Sequence, residues 1–229
     1  MSRSTFALAY EDLPKVLPIF PLPGVLLLPR GSLRLNVFEP RYLAMVEDAL
    51  GAGRLIGMIQ PTEPLPAPDA EVEPPVIYGA GCAGRISSFS ETDDGRYLIQ
   101  LTGIARFAVG EELPPVRGYR RVNADWSRYR ADLEPGPEAD GIDREQLLET
   151  LRLYFGAQGI KADWKVIKGT RNERLVTSLA MSCEFEANEK QALLEAPTLD
   201  ERCKMIVALM EMALMQRGGS SSGADRPRH

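Results

Sequence analysis

Residues 16 to 42 read VLPIFPLPGVLLLPRGSLRLNVFEPRY, an apolar run interrupted at Pro18, Pro21, Pro23, Pro29 and Pro40. A membrane-spanning helix needs about 20 uninterrupted apolar residues, and the prolines cut this run into much shorter pieces. A secretory signal needs a basic start and an apolar core, whereas the first dozen residues, MSRSTFALAYED, carry two acids and no such core. Short apolar pieces separated by Pro and Gly are instead the pattern of strands and tight turns, because proline cannot donate to a sheet ladder. Strands are predicted near Val16 to Phe20, Val25 to Leu28 and Ser32 to Val37.

The pattern stays strand-like to about Trp126, with one helix inside it. Tyr42, Leu43, Val46, Ala49 and Leu50 recur at helical spacing behind Pro40, predicting a helix from about Arg41 to Leu50. RLIGMIQP follows as a strand, then PTEPLPAPDAEVEPP as a Pro-rich acidic loop. VIYGAGCAGRISSFSE and YLIQLTGIARFAVGEEL flank TDDGR, a hairpin signal, and a last strand runs from about Arg117 to Asp125. So many strands in one region predict a small barrel or sandwich. After DLEPGPEADG the pattern is helical. Asp143 with Gln146 and Thr198 with Glu201 make capping boxes, and Ile142 with Leu147 a hydrophobic staple. Further helices are predicted at Asp163 to Lys168, Asn172 to Met181 and Asn188 to Glu195, with the last ending near Gln216.

At 229 residues and 44% hydrophobic composition the chain has enough apolar material for one large or two small domains. A net charge of -5 argues against a nucleic acid as the main partner. Cys82, Cys183 and Cys203 are odd in number and form no CxxC pair, so neither a disulfide framework nor a zinc site is expected, and a cytoplasmic setting fits. The single histidine is His229, the last residue, behind a Gly- and Ser-rich tail. Histidine-based nucleophile activation, metal ligation and general-base catalysis all need an imidazole held in a pocket. A site built on Lys165 or Lys168 has no supporting spacing, and the expectation is no catalytic residues, cofactor or metal.

Several motifs carry two readings. Gly79, Gly81 and Gly84 spell GxGxxG, but no helix and no ribose-binding acid follow, so the glycines are read as easing close backbone approach. Arg117, Arg120, Arg121, Arg128 and Arg130, interleaved with Tyr119, Trp126 and Tyr129, have the ingredients of a single-strand nucleic-acid patch. Their alternative partners are Asp132, Glu134, Glu138 and Asp140. Glu39, Arg41 and Tyr42 lie at a strand-to-helix junction, where an ion pair at the helix start outweighs a ligand contact. Met205, Met210, Met212 and Met215 cannot all share one helix face. Thioethers suit either gap-filling in a core or a surface accepting varied apolar partners.

LPIFPLPGVLLLPRGSLRLNVFEPRYLAMVEDAL resembles the opening of the Lon protease amino-terminal domain, a substrate-binding module with a PUA-like barrel that also occurs in stand-alone bacterial proteins. RLIGMIQP, the hairpin sequence, the GxxRF-like segment at Gly103 to Phe107 and the ending ANEKQALLEAPTLDERCKMIVALM extend the resemblance over residues 14 to 215. The ATPase and peptidase that follow in full-length Lon proteases have no counterpart, and no GK dipeptide for a phosphate-binding loop exists.

The resemblance implies an α+β fold: a flexible start at 1–13, a PUA-like small β-barrel with one internal helix at 14–130, a linker at 131–141, a C-terminal helical bundle at 142–216 and a disordered tail at 217–229. It also implies a non-enzymatic module recognising unfolded or hydrophobic polypeptide segments, with a separate protease or chaperone as a further partner. Phe38, Tyr42, Met205, Met212 and Met215 are the candidate polypeptide-binding surface, and exposed sheet edges add a second mode. The alternative is an RNA-binding PUA-like protein using Arg117 to Arg130, which salt dependence distinguishes.

Overall fold

The computed structural model describes residues 8–63, 75–134 and 141–221, with side chains described as far as Gln216. The core of the expected Pro-rich acidic loop, most of the expected linker, and parts of the expected flexible start and disordered tail lie outside these residues.

The described chain is α+β. Six strands, β1 (Val16–Pro21), β2 (Ser32–Val37), β3 (Leu55–Ile59), β4 (Ala80–Glu91), β5 (Tyr97–Val116) and β6 (Tyr119–Asp125), form one mixed sheet in the order β2-β5-β4-β3-β1-β6. β1 and β3 run parallel and the other pairings are antiparallel. β6 also pairs with the distal part of β5, so the circuit β5-β4-β3-β1-β6 returns to β5, while β2 pairs with β5 alone. Helix α1 (Pro40–Gly51) lies between β2 and β3 in the chain, and α2 (Arg144–Gln158), α3 (Trp164–Gly169), α4 (Asn172–Ser182), α5 (Ala187–Glu195) and α6 (Leu199–Ser221) follow the sheet.

The helices begin where the sequence predicts. Gln146 N–H donates to Asp143 Oδ1 at 2.9 Å, and Glu201 N–H donates to Thr198 Oγ1 at 3.1 Å. Pro40 occupies the first turn of α1, where its missing N–H costs nothing. Helix α6 continues to Ser221, beyond the expected end near Gln216.

One predicted strand does not form. Val25 to Leu28 is irregular backbone after a positive φ at Gly24, yet Leu26, Leu27 and Leu28 are buried. The run is apolar because it fills the core, and the chain just after it crosses β5: Arg30 N–H donates to Gly103 O and Gly103 N–H to Gly31 O. This close crossing requires glycine, since a Cβ at Gly103 would stand 2.0 Å from the Leu28 carbonyl oxygen. Gly103→Ala should therefore cost about 3 kcal/mol. In contrast, Gly156→Ala, in the last turn of α2 with open space around it, should gain up to about 0.5–1 kcal/mol. Urea denaturation of both variants checks the contrast.

β5 runs through Pro114 and Pro115 to Val116 rather than ending before them, and register shifts against β6 lie on this stretch. Bulged positions tolerate proline because the lost donor was not needed there. Gly81 and Gly84 lie within β4, where added Cβ atoms would strike Met58 O at 2.6 Å and Leu27 Cδ2 at 2.7 Å respectively. Close packing thus explains two glycines of the GxGxxG run.

The described residues form two compact units. The first takes those up to Glu134 together with 184–195, and the second takes 141–183 with 196–221. In the first, Leu17, Ile19, Leu55, Ile59, Phe107, Val122 and Trp126 form a buried cluster. The Phe107 and Trp126 ring centroids stand 5.7 Å apart. In the second, Leu147 and Leu151 of α2 are fully buried, as are Ile206 and Met210 of α6. Helix α5, which the sequence reading groups with the helical bundle, belongs to the first unit. All three cysteines are free and buried, and burial pushes the Cys203 thiol up to about 11.

Candidate functional site

Arg106, in the GxxRF-like segment, is the polar centre of the first unit. It is buried beside Asp132, with Nε to Oδ2 at 2.9 Å and Nη2 to Oδ1 at 2.8 Å. Its backbone N–H donates to Asp132 Oδ2 at 2.9 Å, and Nη1 donates to the Leu194 carbonyl of α5 at 3.0 Å. The guanidinium lies 4.6 Å from the Tyr129 ring centroid. Burial opposes the Arg106 charge, but the hydrogen bonds and charge of Asp132 outweigh it and raise its pKa. The arrangement is structural: one cation holds β5, the 3-10 helix Ser127–Leu133 and α5. Asp132, read from sequence as linker, is instead a buried partner.

A second network fixes α5. Gly24 N–H donates to Gln60 Oε1 at 3.1 Å, and Gln60 Nε2 donates to the Ala187 carbonyl at 2.9 Å. Gln191 Nε2 donates to the Ala80 carbonyl at 3.1 Å, and Lys190 Nζ to the Gly24 carbonyl at 2.8 Å. Gln60 and Gln191 are buried, and buried amides without partners are costly.

The arginine-rich stretch separates into individual contacts. Arg117 pairs with Glu47 at 2.6 Å and Asp48 at 2.8 Å on α1. Tyr97 Oη donates to Glu47 and Tyr119 Oη to Asp48. Hydrogen bonds from Arg117 and Tyr97 hold the Glu47 carboxyl below its ordinary range, and that of Tyr119 does so for Asp48. Arg120 makes a two-point pair with Glu112, and Arg121 donates to the Pro114 carbonyl. Arg128 lies over Tyr129 and Arg130 over Tyr10. Of the acids expected as partners, Asp132 serves Arg106 and Glu134 makes no ion pair among the described residues, while Glu138 and Asp140 lie outside them. This commitment of the arginines to acids, carbonyls and rings removes the support for an RNA surface.

The candidate polypeptide-binding residues also separate. Phe38 is 60% exposed. Tyr42, in contrast, is 5% exposed, with its ring 4.1 Å from that of Phe20. Burial raises its phenol pKa, and it is a core residue rather than a surface one. Arg41 pairs with Glu39 at 2.7 Å at the start of α1. On α6, Met210 is fully buried with Cys203, Ile206 and Val207 at i, i+3, i+4, i+7 spacing. Met205 is half-buried, whereas Met212 and Met215 are exposed.

β2 is a sheet edge, and the outer face of β2, β5 and β4 carries an open groove of about 430 Å³ lined by Arg34, Asn36, Ser88, Ser90, Leu98 and Gln100. Cross-strand register places Gln100 between Arg34 and Ser88, and Leu98 between Asn36 and Ser90. Leu98 and Phe89 are exposed. An edge strand beside exposed apolar groups can take an added strand by main-chain hydrogen bonding. Among the described residues no cluster of His, Cys, Asp or Glu is arranged to hold a metal, and no helix is long and apolar enough to cross a membrane.

The profile of the ATP-dependent protease La (LON) substrate-binding domain matches residues 16–212, and the chain belongs to that family. It is 28% identical over 204 residues to Lon protease 2 of Myxococcus xanthus, covering 87% of this chain and 24% of that protein. It is also 28% identical over 206 residues to the Lon protease of Anaeromyxobacter dehalogenans, covering 87% and 23%. The chain thus spans about a quarter of the length of these relatives, and the family match falls on the substrate-binding domain rather than a catalytic one. Among solved structures, the Lon N-terminal domain protein from Xanthomonas campestris superposes with a TM-score of 0.58 at 23% identity, over 84% of this chain and 97% of that one. The N-terminal domain of a Mycobacterium avium complex Lon protease superposes with a TM-score of 0.58 at 15% identity, over 86% and 98%. Both share this fold.

Proposed function

We propose that this chain is a non-enzymatic polypeptide-recognition module, built on a PUA-like barrel formed by the strand circuit of the first unit. Membership of a substrate-binding family supports the class of ligand. The observation that carries the location is the edge strand β2, flanked by exposed Phe38 and by the groove that Leu98 lines. An unfolded or hydrophobic segment adds beside β2 through main-chain hydrogen bonds and seats apolar side chains on Phe38 and Leu98. The short strand and exposed Arg34 guard the same edge against self-association. In the second unit, exposed Met212 and Met215 are a separate candidate contact for apolar segments, and a separate protease or chaperone receives the captured segment.

Anisotropy with a labelled, permanently unfolded polypeptide tests this reading. Phe38→Ser combined with Leu98→Asp should weaken binding by about tenfold or more, with little change in melting temperature because both side chains are exposed. Binding should persist at high salt, since apolar docking and main-chain pairing release few counterions. Undiminished affinity in the double variant rejects the site.

A further inference from the structure

The second unit carries a cluster of cations with few acids near them in sequence. Between residues 152 and 174 stand Arg152, Lys161, Lys165, Lys168, Arg171 and Arg174, against only Asp163 and Glu173, in a chain of net charge -5. All six cations are exposed. Arg152 lies over the Trp164 ring at 5.0 Å, and none of the other five has an ion-pair partner among the described residues. Asp163 is itself occupied, accepting the Lys165 and Val166 N–H groups at the start of α3.

The same stretch exposes apolar side chains. α3 contains Trp164, Val166 and Ile167 yet buries none of its residues. Val166 is 62% exposed, Leu153 59% and Ile160 48%. Trp164 packs toward α2, with its ring 6.2 Å from that of Phe155. A helix with Val166 exposed and Trp164 and Ile167 only half-buried has unused apolar surface, and the cations around it select the sign of what covers it.

We infer that α3 and the adjoining ends of α2 and α4 form a second docking surface, whose occupant is an acidic amphipathic polypeptide segment. Carboxylates meet Lys161, Lys165, Lys168 and Arg171, while aliphatic side chains cover Val166 and Ile160. A nucleic acid would satisfy the cations but leave these aliphatic groups without partners.

The test uses the full chain and two labelled peptides of equal length, one of glutamate and leucine at helical spacing, the other with lysine replacing every glutamate. The acidic peptide should bind at least about tenfold more tightly than the basic one, and K165E with K168E should weaken it by about tenfold. V166S should weaken it further, K165R with K168R should retain it, and circular dichroism should stay unchanged for every variant. The Phe38→Ser, Leu98→Asp variant should bind the acidic peptide normally; loss there would show one shared surface and overturn the inference. Equal binding of both peptides, indifference to K165E with K168E, or tighter binding of single-stranded RNA or phosphatidylserine vesicles would also overturn it.

Discussion

A chain ending at Gly136 should fail to complete its first unit, although it contains every strand of the sheet. Such a chain lacks α5, and with it the partners of Gln60 Nε2, the Gln191 donor to the Ala80 carbonyl and the Leu194 acceptor of Arg106 Nη1. Leu193 and Leu194, both buried, are lost as well, each worth about 1.5–3 kcal/mol. With the unmet polar groups at about 1–3 kcal/mol each, the deficit is comparable to the whole stability of a domain, about 5–15 kcal/mol. The expected result is a broad, non-cooperative thermal transition and binding of a hydrophobic dye. Joining 1–136 to 184–196 through a flexible Gly/Ser linker should restore a cooperative transition. A sharp transition for the shorter chain would mean that α5 is an accessory to the unit.

The second large effect concerns the buried ion pair. Asp132→Ala leaves the Arg106 guanidinium desolvated without its carboxylate and should cost about 3–5 kcal/mol. Arg106→Met combined with Asp132→Leu should be less damaging than Asp132→Ala alone, because an apolar pair removes the uncompensated charge. Chemical denaturation of the two variants checks the order. Equal losses would assign the energy to packing and to the Leu194 hydrogen bond instead of to the pair.

Local chemistry was legible in the sequence. Capping boxes, Pro40 and the DG turn are recorded in neighbouring residues, and the helices and hairpin form there. Val25 to Leu28 was misread because an apolar run reports burial but not ladder pairing, and the crossing with Gly103 lies far along the chain. Asp132 looked like linker because acids beside Pro and Gly are ordinarily solvated. Its partner is 26 residues away, and nothing local marks it as buried. Arg117 was matched to nearby acids, whereas its carboxylates lie 69 and 70 residues back on α1. The helix signal at Asn188 to Glu195 predicts a helix, not which unit it joins. By contrast, the imbalance of six cations to two acids across 152–174 was present in the sequence; only the structure adds that α3 buries none of its residues.

The chain passes between its two units three times, because 184–195 returns to the first unit before 196 re-enters the second. On the ribosome this sets an order of events. The strands are all synthesised by Asp125, but the helix that completes their unit ends at Glu195. At about 5–20 residues per second, the roughly sixty residues after Gly136 take roughly 3–12 s to make. Throughout that interval the nascent strands lack α5, so the amino-terminal unit of this protein finishes folding only after most of the second unit has been translated.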